Sequence, residues 1–164
     1  MGENLNVTDL APALYRYFCA SFAPHLADDL VQDTLVRLIN KISNDQFDPT
    51  RGNLRMYSFG IAHFVRLEAL RSLELNSPPE DENAASLAPL PDEHLEQNRQ
   101  IKNLRKAIRS LSEVQQQVIG LYLDKELSYE EIALILGLPM GTVKSHINRA
   151  KEELKLALTN KQGA

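Results

Sequence analysis

The stretch Ser128–Leu158, SYEEIALILGLPMGTVKSHINRAKEELKLAL, constrains this chain more than any other. It reads as two helices joined by a tight turn. Ser128 with Glu131 is a capping box, S-x-x-E, which predicts a helix from Tyr129. Tyr129, Ile132, Ala133 and Leu136 recur at i, i+3, i+4 and i+7, one buried stripe. Gly137 ends that helix because it takes the left-handed conformation with little strain, and Pro139 cannot continue it. A second helix is predicted from near Gly141–Thr142, with Val143, Ile147, Ala150 and Leu154 as its apolar stripe. Lys144, Ser145, Asn148, Arg149 and Glu152 fall on the opposite face. Two helices with a short glycine-containing turn form a helix-turn-helix, whose second helix enters the DNA major groove. Lys, Arg, Ser and Asn suit base edges and phosphates there. The same pattern also fits an ordinary amphipathic hairpin with a solvated polar face.

Charge distribution bears on that choice. The net charge of −4 over 164 residues argues superficially against a nucleic-acid partner. Residues 74–98 carry seven acids and no Lys or Arg, however, while residues 99–164 carry 11 Lys or Arg and seven acids. The C-terminal part is therefore basic, as a DNA binder needs. The length allows one domain or two small ones. Cys19 is the one cysteine and reads as buried, so neither an internal disulfide nor a cysteine-rich zinc site is expected. No apolar run is long enough to span a bilayer, so no membrane insertion is expected. The start of the chain lacks a signal peptide's basic and apolar regions, which predicts a cytoplasmic protein. There is no phosphate-cradling glycine loop, H-E-x-x-H or nucleophile elbow, and the four histidines are scattered. The sequence thus predicts no enzyme, no cofactor and no metal.

The N-terminal part reads as three helices. Residues 8–26 form the first, ended by Pro24, and residues 28–43 the second. Val31, Leu35, Leu38 and Ile42 give the second its core stripe, with Asp29, Gln32, Asp33 and Val36 on another face. Asp28 and Asp29 suit a helix N-terminus. Capping would explain Asp28, but not a polar row continuing through Gln32 and Asp33. After a turn-rich loop at 45–53, a helix is predicted over about 54–75. It mixes Tyr57, Phe59 and Phe64 with Arg55, His63, Arg66 and Arg71. Aromatics among cations can stack single-stranded bases, but at helical spacing they also build cores. Phe59 is assigned to core and Tyr57 stays open between the two.

Residues 76–94, rich in Pro, Ser and acid, read as a mobile linker. Beyond it, Ile101, Leu104, Ile108 and Leu111 give one helical stripe, and Ser112 with Gln115 caps a helix packing Val114, Val118, Leu121 and Tyr122. The tail after Leu158 has no apolar anchor and is expected to fray. The predicted fold is all-α: two small helical domains at 1–75 and 95–164, joined by the linker.

SYEEIALILGLPMGTVKSHINRA resembles the promoter-recognising helix-turn-helix of the sigma-70 family, above all its extracytoplasmic-function (ECF) group. GTVKS, a basic residue and then RA is that group's signature, with His146 here where Arg is common. ADDLVQDTLVRL is similar to the segment that docks on the coiled coil of the largest RNA polymerase subunit, and LYRYF to the family's first helix. Arg51–Gly52, Tyr57, Ile61–Ala62, Glu68 and Arg71 follow the order of the family's minus-10 element. The departures are Tyr57 where Trp is usual, His63–Phe64 where the second residue is usually Asn, and Ser72, Leu73 and Glu74 in place of a basic cluster. Phe64 can stack but can neither donate nor accept a hydrogen bond.

The resemblance implies an ECF-type sigma factor with core RNA polymerase, promoter DNA and an anti-sigma factor as partners. Asp29, Gln32 and Asp33 would meet polymerase. Arg55, Tyr57, His63, Phe64, Arg66 and Arg71 would meet the minus-10 element. Thr142, Lys144, Ser145, His146, Asn148 and Arg149 would meet the minus-35 element. In the family the linker threads the polymerase's RNA path. The other readings are a stand-alone helix-turn-helix regulator and a sigma-like interaction protein without promoter melting.

Overall fold

The computed structural model describes residues 6–76 and 92–162, and every regular element among them is a helix. A short 3-10 turn, Val7–Leu10, precedes α1, Ala11–Cys19, and α2, Pro24–Ser43. The first expected helix is thus divided, and Pro24 starts a helix rather than ending one. Its fixed φ suits a first helical position, where no N–H is needed. Ala23 before it is extended, with ψ 153°, as a residue preceding Pro prefers. Asp28 and Asp29 consequently lie beyond the first turn of α2, which holds no acid, so the dipole does not account for them. α3 is Leu54–Asn76, capped by Asn53, whose side-chain oxygen accepts the Met56 N–H at 2.7 Å.

The C-terminal half holds α4 (Asp92–Arg109), α5 (Glu113–Tyr122), α6 (Tyr129–Leu136) and α7 (Met140–Gln162). Asn76 therefore belongs to α3 and residues 92–94 to α4, and residues 77–91 of the expected linker lie outside the described residues. Ser112 and Gln115 form the full reciprocal capping box, with bonds of 3.3 and 3.0 Å. At α6 half of the box is made. Glu131 N–H donates to Ser128 Oγ at 3.1 Å, while Glu131 Oε2 is buried without a partner. α7 extends past Leu158 to Gln162.

Gly137 takes the left-handed conformation, φ 66°, and the Leu138 N–H closes the helix end on the Ala133 carbonyl at 3.0 Å. A Cβ there would meet no neighbour, so the backbone alone penalises a side chain. Gly137→Ala is expected to cost about 1 kcal/mol, read as a lower denaturant midpoint at unchanged slope.

Leu10, Leu14, Phe18, Leu38 and Phe59 fill the core of α1–α3. The Tyr17 ring meets Phe18 and Phe59 edge to face at 5.2 and 5.7 Å. Cys19 is half-buried. Val118, Leu121, Ile132, Val143 and Ile147 belong to the same continuous apolar cluster, so the two halves share a core. Leu111, Ile119 and Ala150 form a smaller one within the C-terminal half. The apolar pattern of α4 is displaced from expectation. Ala107 and Ile108 are buried, whereas Ile101 and Leu104 are exposed, because α4 packs on α7 through its C-terminal end. Val114 and Tyr129, expected inside, are exposed as well.

Candidate nucleic-acid and polymerase interfaces

On α7, Val143, Ile147 and Ala150 are buried and fix the helix's rotation. Lys144, Ser145, Asn148 and Arg149 are thereby exposed on its outer face. Thr142 is half-buried in the first turn, beside exposed Gly141. His146 is also half-buried, with Nδ1 inside and unpartnered, so it is less available than its neighbours. Lys151 lies over the Tyr122 ring, 4.4 Å from its centre, and Tyr122 lies 6.2 Å from Tyr129. These contacts fasten α7 to α5 and α6, giving the exposed cations a rigid support.

On α2, Asp29 and Gln32 are exposed above the buried Leu30, Val31 and Thr34. Val36 and Ile39 continue their side of the helix and are exposed too. Periodicity placed Val36 off the core, but Ile39 was missed, since nothing in sequence shows which apolar residue lacks a partner. Asp33 differs from the row to which it was assigned. It accepts two bonds from Arg37, at 2.9 and 3.2 Å, and Arg37 also binds Glu68 on α3 at 2.6 and 3.1 Å. The hydrogen bond from Arg37 holds the Glu68 carboxyl below the usual carboxylate range. Asp33 is therefore part of a clamp between α2 and α3, whereas Asp29 and Gln32 are free to meet another surface.

On α3, Phe64 is 65% exposed and Arg71, seven residues on, shares its side of the helix. Tyr57 is half-buried and packs on Phe47 with ring centres 5.1 Å apart, beside a cleft of about 210 Å³ under the 46–53 loop. His63 is half-buried. Desolvation, then the charge of Arg66, holds its pKa below the usual imidazole value.

Arg55 and Arg66 are not on a free surface. Arg55 grips Asp124 through Nε and Nη2 at 3.0 and 2.7 Å and reaches Glu126 at 2.9 Å. Arg66 is 2% exposed; its Nη1 donates to Glu113 at 2.8 Å and its Nε to Ser21 Oγ at 3.3 Å. Partial burial pushes the Glu113 carboxyl up, but the hydrogen bond and charge of Arg66 outweigh it and hold the group low. Because the folded value is depressed, that pair contributes fully above the ordinary carboxylate pKa and is lost as pH falls through the lowered one. Sequence reading missed Glu113, Asp124 and Glu126. Their partners lie far away along the chain, 69 residues for Arg55–Asp124 and 47 for Arg66–Glu113.

An all-α chain whose α7 exposes a basic face and whose α3 mixes aromatics with cations has the features of a DNA-binding transcription protein. Residues 6–75 match the family described as Sigma-70 region 2, and residues 101–154 that described as Sigma-70, region 4. The chain is 33% identical to ECF RNA polymerase sigma factor EcfG of Rhodopseudomonas palustris, over 80% of this chain and 71% of that protein. It is 29% identical to RNA polymerase sigma factor YlaC of Bacillus subtilis, over 81% and 78% of the two chains. Its fold is similar to that of the sigma factor RpoE solved with the anti-sigma factor NepR from Bartonella quintana. That match has a TM-score of 0.68 and 30% identity, covering 93% of this chain and 94% of that one. The chain belongs to the sigma-70 family, in its ECF group, and is a promoter-directing initiation factor. The partners of such a factor are core RNA polymerase and promoter DNA. Sigma factors as a class are not enzymes. Among the described residues, no helix is long and apolar enough to cross a membrane, and no cluster of three or more His, Cys, Asp or Glu could hold a metal.

Proposed function

We propose that this sigma factor divides its work among three faces, with residues 1–75 and 95–164 acting as separate domains. Asp29 and Gln32, with Val36 and Ile39, form the polymerase-docking face of α2. Tyr57, His63, Phe64 and Arg71 on α3 meet the melted minus-10 strand, joined by Arg55 and Arg66 once these are released. Lys144, Ser145, Asn148 and Arg149 on α7 read the minus-35 duplex, with His146 at the edge and Thr142 offering its N–H or hydroxyl to a phosphate. The protein works in the cytoplasm without catalysis of its own and binds an anti-sigma factor, as its structural relative is found in complex with NepR. The region 2 match over residues 6–75 supports this reading over a stand-alone regulator, which leaves the N-terminal half without a role.

The observation that carries the docking assignment is the exposed row on α2, where acid, amide and aliphatic side chains lie together over a buried face. Exposed charges add roughly 0–1 kcal/mol to folding, so such a row has little stabilising role. At an interface the same groups fix register and speed association. Asp29→Ala combined with Gln32→Ala should weaken capture of core polymerase about tenfold, roughly 1.4 kcal/mol. The melting temperature should stay within about 2 °C, as expected for surface substitutions. Asp33→Ala should reduce both, because it also removes one anchor of the Arg37 guanidinium that binds Glu68. Unchanged capture by the Asp29 and Gln32 double variant would sink the assignment.

A further inference from the structure

Arg71 is the sole Lys or Arg in residues 67–98, so the C-terminal part of α3 has no other cation to offer a phosphate. It stands between two acids, Glu68 three residues before it and Glu74 three residues after. A helix brings residues at that spacing side by side, and an acid preceding the cation is the more favourable order. Glu68 is therefore the expected partner of Arg71. Among the described residues, however, Arg71 is exposed and makes no ion pair.

Arg37 on α2 accounts for this. Its Nη1 donates to Glu68 Oε1 at 3.1 Å and its Nη2 to Oε2 at 2.6 Å, so one guanidinium covers both oxygens. Its Nε and Nη2 also donate to the two Asp33 oxygens at 2.9 and 3.2 Å. Arg37 is thus anchored on its own helix and cannot follow Glu68 elsewhere. The planar fork sets the direction of the carboxylate it holds as well as its charge. The hydrogen bond from Arg37 is the first cause of the depressed Glu68 pKa, and the charges of Arg37 and Arg71 act the same way. Glu68 therefore feels Arg71 while remaining bound to Arg37. Ion pairs as exposed as this one, 38% and 58%, contribute little to folding.

Phe64, Glu68 and Arg71 follow one side of α3, four and then three residues apart. A Glu68 released from Arg37 would place an uncompensated carboxylate on that side, next to the cation. It would neutralise Arg71 and repel a phosphate approaching Phe64. We propose that Arg37 is a positioning residue for the minus-10 contact: by occupying both oxygens of Glu68 it keeps that carboxylate off Arg71 and leaves Arg71 free for a phosphate of the melted strand. This role rests on the minus-10 assignment of Arg71.

Binding of single-stranded minus-10 DNA by the polymerase complex tests it, with core capture and melting temperature measured alongside. Arg37→Met removes the guanidinium and keeps most of the aliphatic stem. It should weaken strand binding about three- to tenfold. Core capture should hold, and the melting temperature should stay within about 4 °C. Glu68→Gln should alter strand binding by less than about twofold in the parent, yet restore it in the Arg37→Met background. A clamp that only joins α2 to α3, or a general loss of positive charge, gives no such non-additivity. Unchanged strand binding by Arg37→Met, or a loss that Glu68→Gln does not restore, would overturn the proposal. If Arg37→Met does not fold, Arg37→Lys takes its place, because one ammonium cannot cover both oxygens in this geometry, and the same loss and rescue are required of it. Arg71→Ala separates the two levels. No effect of Arg71→Ala on strand binding overturns the minus-10 assignment and this role with it; a loss there, with none for Arg37→Met, overturns the role of Arg37 alone.

Discussion

Replacing Phe59 with Ala should destabilise the chain by about 3–5 kcal/mol, since it removes a fully buried ring and leaves a cavity. The ring stands edge to face with Tyr17 within the apolar core, so its removal also takes away that aromatic contact. For a domain of this size the melting temperature should fall by about 6–20 °C. Phe64→Ala is the matched control: the same residue type on the same helix, but 65% exposed. It should stay within about 0.5 kcal/mol of the parent in stability. It should instead weaken binding of single-stranded minus-10 DNA by the polymerase complex by about 1–3 kcal/mol, the scale of one lost base stack. Thermal melts and a fluorescence titration on both variants check this. Equal stability losses for the two would contradict the placement of α3.

The second large effect concerns α7. Lys144→Ala and Arg149→Ala should each weaken promoter binding by the polymerase complex by about 1–3 kcal/mol, roughly 5- to 150-fold. Both side chains are exposed, so folding should be unaffected. Salt separates their roles. Losing a phosphate contact lowers the slope of log K against log salt by about 0.9 and weakens all sequences alike. Losing a base contact leaves the slope and relaxes preference at one position. Binding titrations at several salt concentrations on a minus-35 duplex and a scrambled one give the answer. Full affinity in both variants would remove α7 from the minus-35 site.

Several of these features are legible in the order of residues because they are set within a turn or two of helix. Ser112 and Gln115 cap each other three residues apart, and Gly137 is left-handed because its own backbone must reverse. The 3.6-residue period of Val143, Ile147 and Ala150 sets which face of α7 is buried, and so which cations are free. Phe59 was assignable to core for the same reason. Pro24 shows the limit of local reasoning: the same ring that stops one helix is well suited to start the next, and what precedes it decides.

Partners across the chain were decided by tertiary structure. An exposed Arg and a buried, paired Arg have the same local signature on an amphipathic helix. Arg55 and Arg66 therefore read as DNA contacts, although in the fold they are held by Asp124, Glu126 and Glu113. Asp33 read as one of a polar row until Arg37 and Glu68 claimed it. Ile101 and Leu104 read as core until the end of α4 alone reached α7. Periodicity assigns each side chain to a face, from torsions and hydrogen bonds a few residues apart. What covers that face depends on where a helix tens of residues away comes to lie. Sequence by itself thus determined the helices, most of their buried faces and the family, while the tertiary fold decided which charged groups are free and which are already engaged within the chain.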